Sequence, residues 1–110
     1  MSQLTLRISL QETERAIEIT LEGRVAGPWV AELSRVWVET APRLDSRNLI
    51  LDLRNVTYAD DAGTEALRAI YAQTHARLFA GTPWTEYLAE EIRRSKAEQI
   101  DEEVDHAGHA

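Results

Sequence analysis

The run Asn48-Leu49-Ile50-Leu51-Asp52-Leu53 holds four apolar residues in six, three of them consecutive, and is preceded by polar residues. It is too short for a helix. Near-consecutive apolar residues leave a strand little solvent-facing surface, so the run reads as a central strand covered by helices. A central strand needs neighbours, and the chain supplies them upstream.

Leu4, Leu6, Ile8 and Leu10 alternate with Thr5, Arg7 and Ser9, and Ile17, Ile19 and Leu21 repeat that period of two. Both segments read as half-buried strands. The short polar link Gln11-Glu12-Thr13-Glu14 between them predicts an antiparallel hairpin. Gly23 and Gly27 then bracket an expected loop. Pro28 suits a first helical turn, and Trp29, Val30, Leu33, Val36 and Trp37 build one apolar stripe on a helix expected to end before Pro42.

After the central strand, Asp60 and Asp61 supply helix-capping chemistry. Ala66, Leu67, Ile70 and Thr74 then share one side of a second helix. Arg77-Leu78-Phe79-Ala80-Gly81 reads as a last strand. Thr82 and Pro83 open a third helix, on which Trp84, Leu88 and Ile92 recur on one face and Arg93, Arg94 and Lys96 complement the dipole at the far end. The three Trp fall on helical stripes and are expected to be mostly buried, whereas His75 is expected at the surface. The sequence therefore predicts an α/β fold: a mixed sheet of about four strands, with an N-terminal antiparallel hairpin followed by parallel crossovers, packed with about three helices. One domain over residues 1–96 and an acidic, disordered tail over 97–110 are expected.

Glu98, Asp101, Glu102, Glu103 and Asp105 account for most of the formal net charge of −7. Neither the near-neutral remainder nor the tail offers the clustered Lys and Arg that phosphate neutralisation requires, so a nucleic-acid partner is not expected. His106 and His109 lack supporting ligands for a metal. The chain has no Cys, which fits a reducing compartment. MSQLTLRISLQETER has neither a basic start nor a long apolar run, and no stretch reaches membrane-spanning length. A cytoplasmic location without direct membrane insertion is expected.

The segment LILDLRNVTYADDAGTEAL is the most specific local feature. It resembles the signature of the STAS domain, the anti-sigma factor antagonist family: an apolar strand ending in Asp-Leu, a Val and an aromatic a few residues on, then Asp, two Ser or Thr positions and Gly at a helix start. Asp52-Leu53, Val56, Tyr58 and Asp60-Asp61-Ala62-Gly63 occupy those places, and Leu21-Glu22-Gly23-Arg24 resembles the family's Leu-x-Gly loop. The resemblance extends from the first strand through the third helix. It implies a protein-binding regulatory module rather than an enzyme, without a cofactor. The implied partner is an anti-sigma factor or serine-kinase-like protein; STAS-like accessory subunits of membrane lipid-transport ATPases imply the alternative partner. A homodimer is compatible with either.

The chain departs from that pattern where the family carries its phosphoacceptor. Asp61 stands at that position and Ala62 follows, so neither offers a hydroxyl. A helix start favours negative charge through its free N–H groups and macrodipole. Phosphorylation would add about −1.5 to −2 there, and Asp61 supplies a permanent −1. The expected consequence is a module that is not switched by phosphorylation at this place, although Thr64 and Thr57 remain nearby hydroxyls. Alternatively, Asp60 or Asp61 simply caps the helix.

The resemblance carries partner contact to Asp60, Asp61, Ala62, Gly63, Thr64 and Glu65. On the helix that follows, the side opposite Leu67 and Ile70 holds Arg68, Ala69 and Ala72, whose low relief would admit another backbone. Asp52, Asp60 and Asp61 could instead form a metal-binding or receiver-like carboxylate site. The acidic pair and late Lys of receivers are not matched, however, since Glu12 and Glu14 lie in the hairpin link and Lys96 follows the last helix. No nucleophile elbow, phosphate-binding loop or dinucleotide fingerprint occurs.

Overall fold

The computed structural model describes residues 5–94. Seven elements follow one another: β1 (Leu6–Glu12), β2 (Ala16–Val25), α1 (Pro28–Leu44), β3 (Asn48–Ala59), α2 (Asp61–Thr74), β4 (Arg77–Phe79) and α3 (Pro83–Arg93). The strands form one sheet in the order β1-β2-β3-β4, with β1 antiparallel to β2 and the remaining pairs parallel. This is the mixed α/β architecture the sequence predicts. Leu4, Lys96 and the acidic segment over 97–110 lie outside the described residues. Among the described residues, no helix is long and apolar enough to cross a membrane.

Strands β2, β3 and β4 advance across the sheet in one direction, so crossovers of a single hand deliver α1 and α2 to the same face, and α3 packs beside them there. The burial pattern agrees. Ile17, Ile19 and Leu21 on β2 and Leu49, Leu51 and Leu53 on β3 are all buried, and the parallel register sets Ile17 beside Leu49 and Ile19 beside Leu51. Leu33 and Trp37 of α1, Leu67 and Ile70 of α2, and Leu88 and Ile92 of α3 close this core from above. Each fully buried Leu or Ile contributes about 1.5–3 kcal/mol through removal from water. The other face of the sheet carries Glu18, Thr20, Glu22, Ile50, Asp52 and Arg54, and no helix among the described residues covers it. The central strand is therefore covered on one side only.

Several local expectations are corrected. Strand β3 does not end at Asp52 but runs on to Ala59, because its second half pairs with the end of β2: Val56 lies beside Gly23, and Ala59 beside Val25. Gly23 accordingly belongs to a strand and not to a loop. It holds φ +106°, and a Cβ there would stand 2.2 Å from the Thr5 carbonyl oxygen. The β2–β3 register slips on either side of it, as at a bulge.

Helix α1 passes through Pro42 and stops at Asp45, whose φ is +52°. Pro42 withholds one intrahelical N–H, from the carbonyl of Val38. Val38 is exposed, so solvent can serve that oxygen in the last full turn. Strand β4 is shorter than the expected 77–81. Of the three Trp, Trp37 is buried, while Trp29 and Trp84 are half-buried at the rim of the core. His75 is exposed in the left-handed C-cap of α2, its N–H donating to the Tyr71 carbonyl. The third helix opens as predicted, with a capping box between Thr82 and Thr85 and Pro83 at its first position.

Candidate functional site

The parallel strands β2 and β3 finish side by side at Val25 and Ala59, and each feeds a helix on the same face. The C-terminal edge of such a sheet is where α/β proteins gather their functional groups. Asp60 organises this edge. Its N–H donates to the Val25 carbonyl at 3.3 Å. One carboxylate oxygen accepts the Gly63 N–H at 2.7 Å, capping α2, and the other accepts the Gly27 N–H at 3.1 Å, at the start of α1. Gly27 itself holds φ +60° and offers α1 no side-chain cap. These backbone donors, Gly63 before Gly27, hold the Asp60 carboxyl below the usual carboxylate range, with the Arg24 charge adding a smaller pull.

Gly63 lies where the first turn of α2 presses on β2. A Cβ there would stand 2.0 Å from the Val25 carbonyl oxygen, so only glycine allows this approach. With capping assigned to Asp60, Asp61 is left as the first residue of α2. It is exposed, and its side chain has no hydrogen bond or ion pair among the described residues. Ala62 beside it is also exposed. Thr64 is half-buried and donates its N–H to the Asp60 carbonyl at 2.9 Å, whereas Thr57 is exposed near the end of β3.

Two open clefts flank this helix start. One, of about 340 Å³, lies between α2 and α3 and is lined by Asp61, Thr64, Glu65, Trp84, Tyr87 and Glu91, among others. Its aromatic side is firmly placed, because Trp84 Nε1 donates to the Val56 carbonyl of β3 at 3.0 Å. The second, of about 390 Å³, is bounded by Arg24, Gly27, Trp29, Tyr58 and Asp60. There the Arg24 guanidinium sits 4.4 Å from the centre of the Tyr58 ring. Arg24 of β2, Gly27 of the loop after it, and Trp84 and Tyr87 of α3 gather at this edge, so no spacing in the sequence marks them as neighbours of Asp61.

The outer side of α2 is only partly the bare surface expected. Glu65, Ala69 and Ala72 are exposed. Arg68 is not. Its side chain is 11% exposed, and it donates through Nε and Nη2 to the Glu91 carbonyl near the end of α3, at 3.0 and 2.8 Å. Arg68 also pairs with Glu65. Guanidinium donors thus satisfy a carbonyl that the last turn of α3 would leave without an intrahelical partner.

Asp52 stands apart from Asp60 and Asp61. It lies mid-strand on the open sheet face, is buried, and accepts from Arg54 Nε at 2.9 Å, Nη2 at 2.8 Å and the backbone N–H at 3.1 Å. The Arg54 guanidinium above all holds its carboxyl below the ordinary range, against the opposing effect of burial. The fold does not bring the three aspartates into one cluster. Among the described residues, no three His, Asp or Glu side chains stand close enough to hold a metal ion. The chain matches no protein-family model and no curated protein.

Proposed function

We propose that this chain is a protein-binding regulatory module of the STAS, anti-sigma factor antagonist kind, which meets an anti-sigma factor or serine-kinase-like partner through the start of α2. The observation that carries this reading is the division of labour between two adjacent carboxylates. Asp60 is consumed by the scaffold, holding Gly63 and Gly27, while Asp61 is exposed and unpartnered among the described residues, at the end of a helix where negative charge is favoured. A carboxylate that served only as a cap would do what Asp60 already does. Asp61 in this reading is a fixed negative charge in place of a reversible phosphate, and the module binds its partner in one state. Exposed Ala62, Glu65, Ala69 and Ala72 extend the contact along the helix, and a cytoplasmic location follows from the partner class.

Affinity capture from the source cell with wild type, Asp61→Ser and Ala69→Arg, followed by mass spectrometry, tests this. A serine-kinase-like protein should be retained by wild type and lost with Ala69→Arg while the domain stays folded. The same protein should phosphorylate Asp61→Ser but not wild type. Phosphate on Thr64 or Thr57 of the wild-type chain, accompanied by a change in binding, would show a working switch and overturn the constitutive reading.

A further inference from the structure

Strand β1 borders the sheet, and its outer side is unpaired among the described residues. The bonds from Arg24 N–H to the Thr5 carbonyl (3.1 Å) and from Thr13 N–H to the Ala16 carbonyl (2.8 Å) bracket its ladder with β2, and the register between them is unbroken. Antiparallel pairing alternates along a strand. The odd-numbered residues of β1 therefore turn their backbone groups to β2, and Leu6, Ile8, Leu10 and Glu12 turn theirs outward.

Sheet borders are ordinarily protected by Pro, Lys, a bulge or short length. The other border, β4, has three residues, whereas β1 has seven with no Pro, Lys or register slip. Leu10 on the helix-side face is 42% exposed, and Ile8 is half-buried beside it.

We propose that β1 pairs antiparallel with β1 of a second copy of this chain, about a two-fold axis at Ser9, to join two sheets into one. An axis perpendicular to the sheet keeps the helices of both copies on one side, which requires opposed residues of equal parity. Full overlap of Leu6–Glu12 with itself meets that condition. Ile8 then faces Leu10 twice, covering the exposed Leu10, while Arg7 faces Gln11 and Leu6 faces Glu12. No like charges oppose each other, and all outward backbone groups find partners. One strand edge buries less than about 1,200 Å², so the dimer is weak and reversible. Strand β2 stands between β1 and β3, the strand that leads into Asp61, and the pairing stands or falls independently of the regulatory reading.

The chain has no Cys, which makes single-cysteine variants of the full chain decisive. Ser9 at the axis is a non-hydrogen-bonded pair, with Cα atoms about 4.5 Å apart, within the roughly 4.4–6.8 Å that a disulfide spans. Gln11 would lie roughly 14 Å from its own copy, four residues along. Mild oxidation should convert most of Ser9→Cys to a covalent dimer and leave Gln11→Cys monomeric, while Gln11→Cys mixed with Arg7→Cys should form the heterodimer. In sedimentation velocity the wild-type mass should rise towards twice the monomer with concentration. Leu10→Pro removes only an outward N–H and should shift the midpoint at least tenfold upward with an unchanged circular dichroism spectrum. Wild type that stays monomeric at hundreds of micromolar, equal cross-linking of Gln11→Cys and Ser9→Cys, or a folded Leu10→Pro with undiminished association would each overturn the pairing. If Leu10→Pro does not fold, the cysteine variants decide alone.

Discussion

The carboxylate of Asp60 accepts the backbone N–H of Gly27 at 3.1 Å, and this bond, across thirty-three positions of sequence, ties the start of one helix to the start of another. Gly27 has no side chain with which to cap α1, and the capping oxygen arrives instead from the residue that caps α2 with its other oxygen. One side chain thereby serves two helix starts, and its neighbour Asp61 is released from structural duty.

Asp60→Ala should therefore cost more than a single lost cap, about 2 kcal/mol against the usual 1. Asp61→Ala should change stability by less than about 0.5 kcal/mol. Urea unfolding of the two variants, read from their midpoints at constant slope, checks the contrast. Equal losses would mean that capping is shared between the two aspartates.

Acid should reveal the same bond. The Asp60 and Asp52 carboxyls are both lowered in the folded chain, so their stabilisation is complete above the ordinary carboxylate value of about 3.9 and is lost as pH falls through the lowered folded values. The stability gap between wild type and Asp60→Asn should be constant from pH 7 to 5 and should shrink below about pH 4. Denaturant titrations at successive pH values measure it, and a gap that widens on acidification would contradict the sign.

Gly63→Ala should be severe. Its Cβ would meet the Val25 carbonyl oxygen at 2.0 Å, a backbone atom that cannot rotate away. A loss of about 3 kcal/mol or a failure to fold is expected. Gly27→Ala meets nothing within 4 Å and suffers only from a backbone at φ +60°, ψ −138°, a strain of about 1–3 kcal/mol. Thermal unfolding of both variants should keep that order.

Arg68→Ala should act on the scaffold. Its guanidinium joins α2 to the Glu91 carbonyl of α3, and a charged hydrogen bond of this kind contributes about 1.5–3 kcal/mol. The variant should lose stability and show faster amide exchange in the last turn of α3. Ala69→Arg, on the exposed side of the same helix, should leave both unchanged. Protection in α3 that survives Arg68→Ala would show that the helix end is held by other contacts.

Short-range features were legible in the residues themselves. The period-two segments around Ile8 and Ile19, the helical stripe through Leu33 and Trp37 and the Thr82-Pro83 helix start all depend on neighbours within a few positions, where geometry follows from spacing. The sequence also narrowed the cap of α2 to Asp60 or Asp61. Only the tertiary structure chose Asp60, because its second donor, the Gly27 N–H, comes from the loop that follows another strand. The same holds for the length of β3, which continues past Asp52 because the bulged end of β2 runs alongside it. It holds for Arg68, which spacing placed on an open face and whose long side chain reaches a carbonyl of α3. Hydrogen bonds between segments distant in sequence depend on where the sheet sets them, and no local period records that placement.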